Sequence, residues 1–238
     1  MPMDRPLGEK LTHWTPPPPP DGSPIVGRYA RLDRLEADRH TAALFAAYSA
    51  DPAVWDYLPY GPFASVADHH AWIRQATNGN DPLFYAITDL DTGQVGGVAS
   101  YLRITPGSGS IEVGHINLAP ALQRRRAATE AIYLMMQWAF QAGYRRFEWK
   151  CDALNRPSRR AAQRLGLSYE GVFRQATVVK GRNRDTAWFA AIDAEWPALR
   201  AAFDRWLATE NFDATGRQRE GLSDLTRPLR AASDPALA

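Results

Sequence analysis

Cysteine is almost missing from this chain: Cys151 stands alone among 238 residues. That excludes an internal disulfide framework and fits a reducing compartment, so a cytoplasmic location is the expectation. Long apolar runs are missing too. No stretch approaches the ~18–20 residues that span a bilayer, so no membrane partner is expected, and residues 1–10 carry no secretory pattern. There is no internal repeat. Net charge is also scarce, with 28 Lys and Arg against 26 Asp and Glu, a formal +2 that argues on its face against a polyanion partner. What remains is ordinary: 45% hydrophobic and 23% charged residues describe a globular chain long enough for one large domain or two small ones.

Proline supplies the first boundary. Eight of its 18 occurrences fall within residues 1–24, including the run 16–20, which reads as a short polyproline II arm, either a spacer or a segment lying on the domain surface. Residues 25–210 read as the folded domain. Residues 211–238 are polar and aperiodic and are expected to form a loosely ordered extension.

Within the domain, pattern and turn residues predict a strand over 25–35, then helices over 39–48 and 66–76. The aromatic loop Trp55–Phe63 separates those helices. Three strands follow at 82–88, 94–105 and 110–117, then a helix over 127–142 and a strand over 146–151. A helix over 156–165, strands over 169–179 and 184–192, and a helix over 195–208 complete the series. The order lacks the strict strand–helix alternation of a doubly wound fold. It predicts a mixed α/β (α+β) architecture, a mostly antiparallel seven-stranded sheet with helices on both faces. Arg174 and Asp185, on adjacent predicted strands, are placed to form a cross-strand ion pair.

The segment 114–130 is the most informative. A strand ends near Leu118, Pro120 breaks it, and a helix starts near Ala127, so Arg124, Arg125 and Arg126 crowd a helix N-terminus. That end already presents unpaired N–H groups and about +0.5 charge. Three added cations there favour a bound anion, and amides with guanidinium forks make a phosphate cradle. The charge distribution agrees. Between Pro120 and Asp185, 12 Arg and 2 Lys face 3 Glu and 2 Asp, a formal +9 that leaves −7 for the rest. A small multi-phosphate ligand fits that field better than nucleic acid, for which no recognition motif is present.

On these residues the sequence resembles the GNAT acyltransferase superfamily, most of all the branch containing the ribosomal-protein N-terminal acetyltransferases. Gln123-Arg-Arg-Arg-Ala-Ala128 follows the family's pyrophosphate-loop pattern Gln/Arg-x-x-Gly-x-Gly/Ala at its ends, with Arg126 in place of the central glycine. Either Arg126 supplies charge to a reshaped loop or acyl-CoA binding is weakened. Thr129-Glu-Ala131, the strand motif Ile111–Leu118, and Asn155-Arg-Pro-Ser158 with Leu165-Gly-Leu167 complete the match. The resemblance implies acetyl-CoA, or another acyl-CoA, as cosubstrate, with no metal. It implies that Leu118, Gln123, Arg124, Arg125, Arg126, Ala127, Ala128 and Thr129 hold the cofactor, joined by Asn155. The resemblance also makes a homodimer plausible, though no periodicity in the sequence shows one.

Direct attack of an amine on a thioester needs a proton acceptor, oxyanion donors and a thiolate-protonating group. Glu112 and His115 are the candidate bases, on opposite faces if their strand is regular, with water relay as the third option. Asn155 and Ser158 are candidates for the acid and oxyanion roles, since Ala162 stands where many family members place a tyrosine. Trp55, Tyr57, Tyr60 and Phe63 are candidates either to line an acceptor pocket or to cap a core. Cys151 reads as a small core residue. The expected activity is acyl transfer to a primary amine. A non-catalytic acyl-CoA-binding module on the same fold is the alternative.

Overall fold

The computed structural model describes residues 5–237; residues 1–4 of the proline-rich tail and residue 238 lie outside the described part. In chain order the elements are β1 (Ile25–Val26), β2 (Ala30–Arg34), α1 (Ala37–Tyr48), α2 (Val66–Ala76), β3 (Leu83–Asp89), β4 (Gln94–Thr105) and β5 (Ser110–Leu118). They continue with α3 (Arg126–Gln141), β6 (Arg146–Asp152), α4 (Arg156–Arg164), β7 (Ser168–Val179), β8 (Arg182–Ile192), α5 (Trp196–Leu207) and α6 (Leu222–Thr226). One eight-stranded sheet runs in the order β1-β2-β3-β4-β5-β6-β8-β7. Its pairs are antiparallel except β5 with β6.

The eighth strand is a correction to the sequence reading. The single strand expected over 25–35 is a hairpin, with Ile25 paired to Leu32. Its turn is held from outside. Glu130 of α3 accepts the backbone N–H groups of Arg28, Tyr29 and Ala30 at 3.0, 2.6 and 2.7 Å. A Cβ on Gly27 would meet that carboxylate at 2.5 Å, so only glycine lets the turn approach so closely.

Each sheet face has its own core. On one, α3 lies between the sheet and α5. Its stripe Ile132, Met135, Met136 and Ala139 is buried, and Tyr133 stacks on Phe203 with ring centres 4.8 Å apart. On the other, α1 and α2 cover β3 and β4 through Leu44, Ile73, Phe84 and Val98.

The parallel pair is short. β5 and β6 run together only from Ser110–Val113 against Arg146–Trp149. Beyond that, β5 follows β4 to Leu118 while β6 follows β8 to the pair Asp152–Thr186. β5 carries a bulge where Gly114 and Asn117 oppose Ser100 and Val98, and His115 adopts φ +50° within it. A bulge bends its strand, and the two strands part into a cleft at their C-terminal ends.

Both tails are used. Pro17 and Pro20, three residues apart as the polyproline II turn requires, are the buried members of the proline run, so this arm lies on the domain surface. Segment 211–238, expected to be loosely ordered, is instead tied to the domain. Leu222 and Thr226 are fully buried, Thr226 Oγ1 donates to the Arg164 carbonyl, and Ala231 N donates to Ser168 Oγ. The main tie is Arg159, whose Nε and Nη2 each lie 2.6 Å from Asp234, both side chains being buried. A single acidic residue near the chain end gives no period, so sequence reading passed over it. Asp234→Asn, which keeps the shape but removes the charge, is expected to lower the unfolding free energy by about 2 kcal/mol. Guanidinium denaturation followed by tryptophan fluorescence measures it, and an unchanged midpoint would show that the pair contributes nothing.

Among the described residues no helix is long and apolar enough to cross a membrane, and no cluster of three or more His, Cys, Asp or Glu could hold a metal ion.

Candidate active site

The N-terminus of α3 forms one wall of the cleft. The side chain of its cap residue, Arg125, accepts no hydrogen bond from the helix amides, and the first turn contains no acidic residue. The leading amides, from Arg126 to Ala128, are therefore the unpaired donors of a helix start. The approach is shaped by side chains: Gln123 Nε2 donates to the Leu118 carbonyl at 2.9 Å, and Arg124 takes φ +63°. The three arginines then diverge. Arg124 is exposed, with no hydrogen bond or ion pair among the described residues, and Arg125 reaches back to the Ala121 carbonyl at 3.3 Å. Arg126 is turned away. It pairs with Asp91 at 3.1 Å and lies between the rings of Tyr29 and Phe212, 4.4 and 4.8 Å from their centres. Thr129 is buried and accepts Nη1 of Arg164 at 2.9 Å.

Two of the expected catalytic residues lie on α4 or its cap. Asn155 caps α4, its Oδ1 accepting Ser158 N at 3.1 Å, and Ser158 Oγ accepts Trp149 Nε1 at 3.0 Å. Cys151, beside Ser158, is buried. Burial pushes its thiol up to about 11 despite the lowering effects of Ser158 and Arg184, so it stays protonated and unreactive at neutral pH.

Glu112 and His115 do not take opposite faces. The bulge turns His115 onto the α1–α2 side of the sheet, where its ring stacks on Tyr60 and lies 5.0 Å from Phe84. Glu112 occupies the same side, with Oε2 clamped by Arg103 Nη1 at 2.7 Å and Lys150 Nζ at 2.8 Å. His115 Nδ1 lies 3.1 Å from the Tyr60 hydroxyl. Burial above all, then the charges of Arg103 and Arg184, brings His115 down to about 4, and burial raises Tyr60 above its ordinary value, so the pair is uncharged at pH 7.

The aromatic loop divides its four candidates. Trp55 packs edge-on against Tyr48 and Phe63 in the second core. Tyr60 faces His115, and Tyr57, 40% exposed, reaches the Leu154 carbonyl just beyond β6. The loop thus bridges the cleft from β5 to β6. From the far side, Lys180 at the β7–β8 turn donates to the Trp55 carbonyl at 2.9 Å. Sequence reading missed Lys150, Trp149, Lys180 and Arg184 because only the strand order brings them to the cleft. The expected Arg174–Asp185 ion pair is not formed; Asp185 Oδ1 instead accepts Gln175 N and Asn183 Nδ2.

Beneath the loop, His69 is buried in an aromatic box and stacks on Phe63 at 4.8 Å. Burial lowers it to about 4. Unfolded histidines titrate near 6.5, so from there down to about 4 the unfolded chain binds protons that the native state refuses. Stability is therefore expected to fall as pH drops through that window. His69→Phe, which keeps the stack, should flatten the fall when denaturation midpoints near pH 7 and near pH 5 are compared.

Known proteins place this arrangement. The profile of the Acetyltransferase (GNAT) domain matches residues 31–168, more than half of the chain. A GCN5-related N-acetyltransferase from Brucella melitensis is 47% identical and superposes with a TM-score of 0.89, covering 91% of this chain and all of its own. A protein described as a probable acetyltransferase (GNAT family) from Chromobacterium violaceum is 40% identical, with TM-score 0.77 and coverage of 83% and 100%. The microcin C7 self-immunity acetyltransferase MccE, solved with acetyl-CoA and AMP, shares the fold at 20% identity and TM-score 0.62, covering 70% of this chain and 93% of its own. The parted parallel strands, the uncapped helix at their mouth and the matched profile agree: this chain belongs to the GNAT acetyltransferase family.

Proposed function

We propose that the protein transfers an acetyl group from acetyl-CoA to a primary amine in the cytoplasm, by direct attack within the β5–β6 cleft. The carrying observation is the α3 N-terminus, uncapped and free of acid, beside the exposed Arg124 at the mouth of that cleft. These residues fit a pyrophosphate: unpaired amides, the positive helix end and a guanidinium converge there. Bound acetyl-CoA supplies an activated thioester, and everything else is asked of the chain. Arg124, Arg125 and the amides from Arg126 to Ala128 hold the phosphates, while Leu118 and Asn155 flank the arm that leads into the cleft.

The amine must arrive uncharged and lose a proton as its nitrogen bonds to the carbonyl carbon and the C–S bond breaks. His115, neutral at pH 7 and held by Tyr60, is the proposed acceptor of that proton, directly or by water relay. Glu112 is the poorer acceptor, because its Oε2 already serves Arg103 and Lys150. Ser158 accepts from Trp149 and so retains its own hydroxyl proton for the oxyanion or the leaving thiolate. Tyr57 and Tyr60 border the amine's entry. Calorimetry with acetyl-CoA followed by a thiol-release assay over an amine panel tests this reading. Micromolar binding with amine-dependent release is expected. Tight binding without release on any amine would leave a non-catalytic acyl-CoA-binding module.

A further inference from the structure

On the side of the cleft that carries Glu112 and His115, the cations Lys150, Arg103 and Lys180 each have a partner, and Arg184 does not. Lys150 Nζ lies 2.8 Å from both Glu112 and Glu148 and 3.8 Å from the centre of the Trp188 ring. Arg103 shares Glu112, and Lys180 is taken by the Trp55 carbonyl. The side chain of Arg184 on β8 makes no hydrogen bond and no ion pair among the described residues, and its Nε is buried.

Its direction follows from the register. The extra residues of the β7–β8 irregularity lie in β7, between Phe173 and Thr177, so β8 keeps its alternation from Arg184 through Thr186 to Trp188. Arg184 therefore shares a face with Trp188, and Trp188 packs against Lys150 on that face. This is the side that carries Glu112, His115 and Tyr60, opposite the face where Ser158 and the α3 helix sit. The charge of Arg184 is felt on both walls of the cleft, at His115 on β5 and at Cys151 on β6. Trp188 Nε1 on the same face is a second buried donor without an acceptor.

A half-buried guanidinium with no acceptor is costly to keep, and its planar fork matches a carboxylate. Two orphan donors on one wall call for oxygen atoms. Four cations against two carboxylates around the entry also oppose a polycationic acceptor. We propose that Arg184 binds a carboxylate carried by the acceptor, so that the substrate class is an amine bearing a carboxylate, not a polyamine. The proposal rests on the acyl-transfer reading of the same cleft.

Matched probes test it: leucine against leucinamide, and a peptide amide beginning with Asp against one beginning with Asn. The first pair carries the carboxylate on the α-carbon, the second on a side chain, so the favoured pair identifies its source. Each probe is titrated by calorimetry into the full chain saturated with coenzyme A, and kcat/KM is compared at equal free-amine concentration. In at least one pair the charged member is expected to be favoured by about tenfold or more, and Arg184→Gln should bring that ratio to near one. Arg184→Lys, which keeps the charge without the fork, should retain part of the preference. Equal binding of charged and neutral members by the unmodified protein overturns the proposal, as does a preference that survives Arg184→Gln. Should Arg184→Gln fail to fold, the wild-type comparison and Arg184→Lys decide. A binding preference lost in the variant, with no acetyl transfer to any amine, would sink the acyl-transfer reading and leave the anion site standing. Transfer without the preference would do the reverse.

Discussion

Replacing Glu130 with alanine is expected to remove about 4 kcal/mol of folding free energy, a large share of the 5–15 kcal/mol that a domain usually has. The carboxylate accepts three backbone N–H groups, from Arg28, Tyr29 and Ala30, and it is buried. Its loss strands two buried donors, of Tyr29 and Ala30, each costing roughly 1–3 kcal/mol, and frees the part-buried N–H of Arg28. Water cannot replace it readily, because the hairpin turn packs on it closely enough that Gly27 tolerates no side chain. Glu130→Gln should lose about half as much. It keeps Oε1 or Oε2 as an acceptor but sets an amide N–H against at least one backbone donor. Guanidinium denaturation of the three proteins gives the ranking directly; a loss below 1 kcal/mol for the alanine variant would refute the turn-anchoring role. The consequence reaches the site, since Glu130 lies one turn beyond Arg126 and ties the start of α3 to the sheet edge.

Glu130 also shows where sequence reading stops. The helix that carries it was legible from its apolar stripe, and the resemblance marked Thr129-Glu130-Ala131 as a familiar continuation. Neither said that the side chain would split the first strand into a hairpin, because a contact across a hundred residues leaves no local period. The same holds for the cleft. Strands 94–105 and 146–151 were readable from alternation nearly to the residue, whereas the bulge at His115 was not. Regular alternation put His115 and Glu112 on opposite faces, and one extra residue in β5 brought them to the same side. The aromatic loop could be either a pocket or a core cap, and the fold divides it: Trp55 and Phe63 pack in the second core, while Tyr60 and Tyr57 turn their hydroxyls toward β5 and the end of β6. Composition alone could not separate these uses, because an aromatic side chain serves a core cap and a cleft wall equally well; the two members turned toward β5 and β6 are the tyrosines, whose hydroxyls find partners there.

The arginine run is where sequence and structure together make the sharpest prediction, because three like residues are set to different tasks. Arg124→Ala with Arg125→Ala is expected to weaken coenzyme A binding by about 10–100-fold, one to two charge-assisted contacts with phosphate, while leaving thermal stability unchanged. Arg124 has no other partner among the described residues, and Arg125 gives up only a long bond to Ala121 and a 4.0 Å approach to Asp89. Arg126→Ala should behave in the opposite sense. It removes the pair with Asp91 and two ring contacts that join β2's approach, through Tyr29, to the C-terminal segment at Phe212. A loss of about 1–2 kcal/mol in folding free energy is expected, with coenzyme A affinity changed less than threefold. Calorimetry and denaturation on both variants decide the matter. If Arg126→Ala weakens coenzyme binding as much as the double variant does, Arg126 leaves its aromatic sandwich to reach the phosphates. If the double variant binds normally, the helix amides suffice and the field of the +9 segment serves the acceptor side instead. The expected split follows from position alone: a cation one residue before the helix cap can turn toward a ligand at its mouth, whereas one at the first helical residue is committed to what packs beside it.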